Sequence, residues 1–130
     1  MKFTLYACFL FFLFFTTSLK SQVIVEGVNI NELDEIVYCQ VVAFGKIFSN
    51  KVKINIDYGQ EQKFFGKQNS RVTNINGKQI KFNSLFAAVN HMGKNGWKFV
   101  HAYPLTMQGG LGGSQNVYHY TFEKDGSFQN

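Results

Sequence analysis

The stretch Asn83–Tyr103, NSLFAAVNHMGKNGWKFVHAY, decides the fold. Leu85, Val89 and Met92 recur at helical spacing with Phe86 beside them, which predicts an amphipathic helix over 83–95. Asn83 or Ser84 can offer a side-chain oxygen to the free amides of the first turn. Gly96, or less favourably Gly93, supplies the left-handed residue that ends a helix. Trp97 to Tyr103 then reads as a strand limited by Pro104.

Working outward, the chain is mostly strand. Met107 to Gln115 is rich in glycine and must turn. Asn116 to Lys124 is the last strand, with Tyr118, Tyr120 and Phe122 alternating against Val117, His119 and Thr121. Upstream, Asn76-Gly77 lies between short alternating runs in Val72–Phe82 and signals a hairpin. Glu61 to Arg71 is a polar loop apart from Phe64-Phe65. Lys51 to Tyr58 alternates: Val52, Ile54, Ile56 and Tyr58 point one way and Lys51, Lys53, Asn55 and Asp57 the other. Ile36 to Phe44 is apolar nearly throughout, as in a central strand buried on both faces. The expected architecture is α+β: a two-layer sandwich, an antiparallel sheet of about four to six strands with one helix, 83–95, packed on one face. Residues 36–125 are expected to form the domain, 22–35 a loose arm in which Val23–Val25 is the alternative for a short strand, and 126–130 a polar tail.

The amino terminus carries an address. Lys2 precedes Phe3–Phe15, a Phe- and Leu-rich run well short of the ~20 residues that span a bilayer. Thr16, Thr17, Ser18 and Ser21 follow, completing the order of a cleaved secretory signal over 1–21. The cut falls after Ser18 or Ser21, and Ser21 is preferred, leaving Gln22 first. The apolar core follows Cys8 rather than preceding it, which argues against a lipid-attachment box. The expected location is periplasmic or extracellular, with no stable membrane span after cleavage. Losing Lys2 and Lys20 lowers the formal net charge from +5 to +3, and the remaining basic residues are scattered, which argues against nucleic acid. Cys39 is then the only cysteine, so no intramolecular disulfide can form; its apolar setting predicts a buried thiol.

Candidate chemistry is sparse. A last hairpin centred on Gly110 would place His101 opposite His119, on the face of Trp97, Phe99 and Tyr103. Two cross-strand histidines could hold a metal, but no third ligand stands beside them, so no metal and no cofactor are expected. His91 on the helix is expected to face solvent. The Gly109–Ser114 loop lacks the Lys-Ser or Lys-Thr and the following helix of a phosphate cradle. Ser84 and Ser114 have no evident base, and the acids offer no clear pair, so no catalytic residue is assigned.

The runs Asn83-Ser84-Leu85, Ala88-Val89-Asn90, Met92-Gly93-Lys94, Gly96-Trp97-Lys98-Phe99-Val100 and Ala102-Tyr103 resemble a group of uncharacterised small secreted proteins of Bacteroides-type bacteria. Tyr38–Val42, Asp57-Tyr58-Gly59-Gln60 and Asn116-Val117-Tyr118-His119 fit the same group, so the resemblance covers most of 36–124. More distantly, the helix, the Gly-Trp strand and the aromatic last strand resemble a domain of unknown function. That domain commonly has Glu after the Trp, where this chain has Lys98, and it is shorter, making 45–80 an elaboration. The resemblance implies a small antiparallel sheet with one helix and implies no activity.

A surplus of sheet aromatics without a catalytic constellation points to a non-catalytic interaction or ligand-binding module. Its expected contact residues are Trp97, His101, Tyr103 and His119, and its partner an unknown protein or small ligand outside the cytoplasm. The competing expectations are a small hydrolase using His101 or His119 as base and a structural homodimer or larger homo-oligomer.

Overall fold

The computed structural model describes residues 21–46, 49–61, 71–108 and 113–128. Residues 1–20 of the expected signal segment, the Phe64-Phe65 pair and residues 109–112 of the Gly-rich loop lie outside the described residues. Seven strands and one α-helix are described: β1 (Ile24–Val25), β2 (Val28–Asn29), β3 (Tyr38–Lys46), β4 (Ser49–Asp57), β5 (Val72–Thr73), α1 (Leu85–Lys94), β6 (Trp97–Gln108) and β7 (Ser114–Lys124). They build an α+β fold from two antiparallel sheets, a four-stranded one in the order β4-β3-β7-β6 and a three-stranded one in the order β2-β1-β5.

The helix forms where its spacing predicts. Ser84 is the N-cap, extended in its backbone, and its Oγ accepts from the Ala87 amide at 3.1 Å. Asn95 closes the other end, its N–H donating to the Met92 carbonyl, and Gly96 follows at φ +78°. Ala88 and Met92 are its buried residues, packed with Trp97 and Phe122. Alternation in β4 holds as well: Ile56 is buried and Lys53 exposed. β3 is central, but only one of its faces belongs to the main core, through Cys39 and Val41, whereas Gln40, Val42 and Phe44 are half-buried on the other.

Residues 23–30 depart from the expected loose arm. Val23, Val25 and Ile30 have no exposed surface and share one core with Cys39, Val41, Ile56, Val72, Ala88, Met92, Trp97 and Phe122. The small sheet therefore lies with α1 on the same face of the large sheet. Its hairpin turns at Glu26 (φ +53°) and Gly27 (φ +84°), two left-handed residues in succession, the geometry of a two-residue hairpin loop. Glutamate resists that conformation, and Arg71 holds it there: Glu26 N–H donates to the Arg71 carbonyl at 3.0 Å, and Arg71 N–H donates to Glu26 Oε1 at 3.2 Å. The Asn76-Gly77 turn is present, with the Gly77 amide bonded to the Asn74 carbonyl, but only Gly77 takes a positive φ.

One half-buried polar cluster ties the amino-terminal segment to the helix end. Asn31 Oδ1 accepts from Val23 N–H at 2.9 Å and from the Trp97 indole at 3.2 Å, and its Nδ2 donates to the Asn95 carbonyl at 2.7 Å. Lys124 Nζ lies 5.6 Å from the centre of the Trp97 ring and donates to the Leu33 carbonyl at 2.6 Å.

Cys39 is 3% exposed, and burial pushes its thiol up to about 12, with Asp57 raising it further and Lys124 opposing. The thiolate is the reactive form, so Cys39 is expected to resist alkylation in the native protein at neutral pH and to react once the chain unfolds. Mass spectrometry after brief alkylation, with and without denaturant, checks this; labelling at equal rates would contradict it.

Candidate functional site

A one-residue irregularity in β6 creates the site. Phe99 pairs with Phe122 and His101 with Thr121, so Val100 is an extra residue that β7 does not match. Before this bulge, Trp97 and Phe99 share the face of Phe122 and Tyr120; the Phe99 ring meets both at centroid distances of 5.9 and 6.0 Å. After it, His101 and Tyr103 turn to the far face of the sheet, away from α1.

On that face the register pairs Tyr103 with His119 and His101 with Thr121. The expected direct pairing of His101 with His119 is thus off by two positions. Gln108 pairs with Ser114, whereas a hairpin centred on Gly110 would have set it opposite Gly112. Tyr103 stands between the two imidazoles. Its ring lies 5.1 Å from His119 at an interplanar angle of 4° and 5.7 Å from His101 at 21°. Among the described residues no group of three or more His, Cys, Asp or Glu could hold a metal ion.

Gln40, from central β3, organises the polar edge of these rings. Its Nε2 donates to the Tyr103 hydroxyl and to Thr121 Oγ1, each at 3.3 Å. Its Oε1 therefore faces His119 Nδ1, at 3.3 Å, and assigns the hydrogen to that nitrogen. His119 Nε2 is left as an acceptor, and the Tyr103 hydroxyl keeps its own hydrogen to donate. The result is a row of three rings edged by one donor and one acceptor, with His101 exposed and Tyr103, His119, Gln40 and Thr121 half-buried. At the same face, Tyr38 donates to Glu123 Oε1 at 3.2 Å, and this bond holds the tyrosine hydroxyl above its ordinary 10.0. Lys53 lies 5.9 Å from the Phe44 ring centre.

Trp97 does not belong with this set. It is 2% exposed, lies in the core on the opposite face, and spends its N–H on Asn31. Gln40 and Thr121 are members of the site that sequence reasoning misses; the signal for the first is a lone amide inside the apolar run 36–44. An apolar groove of about 300 Å³ lies on the other layer, between α1 and β6, lined by Val89, Gly93, Lys94, Trp97, Phe99 and Phe122 among others.

His91 is not solvent-facing as expected but half-buried against the Phe82 ring at 5.5 Å, its Nε2 buried without a hydrogen-bond partner. Burial lowers its pKa from 6.5. The unfolded chain therefore takes up the proton first. The stability that neutral His91 contributes is fully present above 6.5 and is lost as pH falls toward the folded-state value. Urea midpoints at about pH 7.5 and about pH 5.5 should differ less in His91→Gln than in the native sequence; an unchanged difference would count against this assignment.

No helix among the described residues is long and apolar enough to cross a membrane. No family model matches the chain, and neither does any curated protein or solved structure.

Proposed function

We propose that the protein is a non-catalytic extracytoplasmic module that binds a protein or small ligand through the far face of its large sheet. The row His101–Tyr103–His119, edged by Gln40, is the observation that carries this reading. Aromatic edges with a fixed donor and acceptor suit a ligand that combines apolar surface with hydroxyl or amide groups. Export is supported by the order of charge, apolar run and small residues over 1–21, and by the resemblance to small secreted proteins. A neutral amide, not a carboxylate, faces His119 Nδ1, so the base–acid pairing of a nucleophilic hydrolase is not formed at this imidazole. This favours binding over a histidine-based hydrolase.

The test is a pull-down from envelope and culture-medium fractions with the native chain and with His101→Ala/Tyr103→Ala. His101 is exposed, but Tyr103 is half-buried and bonded to Gln40, so a melting curve of each form separates lost folding from lost capture. Loss of the captured partner with folding intact is the expected result; undiminished capture would overturn the reading. Leu105 and Met107, 48% and 56% exposed further along β6 on the same face, favour a homodimer as second reading. A monomeric mass by light scattering removes that one alone.

A further inference from the structure

We infer that the chain is cut between Ser21 and Gln22, and that the new amino terminus is seated on the C-terminal end of α1 as a working part of the fold. The inference rests on the export reading of residues 1–21 and is independent of the far-face site.

The seat is built before the amine reaches it. Gln22 N lies 3.0 Å from Asn95 Oδ1. Asn95 is fixed on three sides: its N–H donates to the Met92 carbonyl at 3.0 Å, its Nδ2 to the His91 carbonyl at 2.7 Å, and its own carbonyl accepts from Asn31 Nδ2 at 2.7 Å. With Nδ2 committed to His91, Oδ1 can only present an acceptor to Gln22. Carbonyls at a helix C-terminus lack intrahelical donors and carry the negative end of the helix dipole. An ammonium there supplies three donors and a positive charge, where an uncut peptide bond supplies one neutral N–H.

Two further observations place the boundary at this bond. Ser21 Oγ is buried and has no hydrogen-bond partner, a cost that the uncut chain carries and that cutting removes. One residue beyond Gln22 the chain is already core: Val23 is fully buried, and its N–H is held by Asn31 Oδ1 at 2.9 Å. A cut after Ser18 would instead leave Leu19-Lys20-Ser21 attached and put an amide in the seat.

The step is a hydrolysis. Water adds across the Ser21–Gln22 peptide bond, its hydroxyl going to the Ser21 carbonyl carbon and its proton to the Gln22 nitrogen. The leader departs as a carboxylate, and the Gln22 amine takes up a further proton from solvent. The agent is a signal-processing peptidase that accepts a small residue before the cut. It acts before folding, because Ser21 and Gln22 are half-buried in the folded chain.

The full chain, expressed with export and recovered outside the cytoplasm, should have the mass of residues 22–130. A chain beginning at Leu19, or an exported chain retaining residues 1–21, would overturn the inference and leave export standing; a full-length chain found only in the cytoplasm would overturn both. Freshly prepared protein, before Gln22 can cyclise to its uncharged lactam, is then compared with forms that carry acetylated Gln22 or retain Ser21. The free amine should raise the ratio of folded to unfolded protein about twofold to fivefold, and Asn95→Ala should abolish the difference. Equal stability of the three forms would overturn the seat.

Discussion

Trp97→Ala is expected to lower the unfolding free energy by about 3–5 kcal/mol, the largest single-site loss we anticipate in this domain. Three effects combine. The indole is 2% exposed and packs in the core shared by α1, the large sheet and the amino-terminal segment. Its removal leaves a cavity beside Met92 and Phe122, which a helix capped at both ends has little freedom to fill. It also takes away the donor to Asn31 Oδ1 and the ring under the Lys124 ammonium. Trp97→Phe should lose distinctly less, because most of the apolar area stays. Trp97 is the only tryptophan, so the comparison must follow unfolding by circular dichroism rather than fluorescence. Equal losses for Ala and Phe would show that packing is not the main effect.

Asn31→Ala should follow closely, at about 2–4 kcal/mol, although the residue brings almost no apolar area. Its amide makes three bonds, and alanine strands Val23 N–H, the Trp97 indole N–H and the Asn95 carbonyl in partly buried surroundings. The residues it joins lie far apart in the chain, so the damage should extend to the seating of the amino-terminal segment on the helix end. Hydrogen exchange at Val23, whose N–H donates to Asn31 Oδ1, should quicken more than at Ile56. Because Asn31 and Trp97 share a bond, Asn31→Ala and Trp97→Phe combined should cost less than the sum of the two. Strict additivity would mean that the indole bond carries no energy.

The sequence exposes those parts of the fold that have a period. Leu85, Val89 and Met92 mark the helix, Ser84 and Gly96 its ends, and the alternation through Ile54 and Ile56 marks β4. The amino-terminal hairpin has none, since strands of two residues are too short to show alternation. Its turn also places Glu26 where Asn or Asp is usual, and the Arg71 pairing that makes this tolerable lies 45 residues away.

The candidate site is legible by residue type and not by position. His101, Tyr103 and His119 do meet, but the bulge at Val100 separates them from Trp97. A bulge of this kind leaves no mark in composition: one unmatched residue exchanges the two faces of everything after it. The two-residue error in the hairpin register follows from a glycine-rich connection, which offers several turn centres of similar cost. Gln40 is hidden because its partners Tyr103, Thr121 and His119 come from two other strands, so only the assembled sheet shows what it organises.

The strand order β4-β3-β7-β6 also sets a timetable. The central strand β3 is among the first parts of the domain to emerge, yet its partner β7 is the last of the described strands. Until Tyr38 can meet Glu123, β3 has only β4 to pair with, and an isolated two-stranded hairpin is marginal in water. Such end-to-end pairing must close a long loop before it yields any stabilisation, which delays folding. A chain that emerges amino-terminus first is thereby kept pliable until β7 has followed.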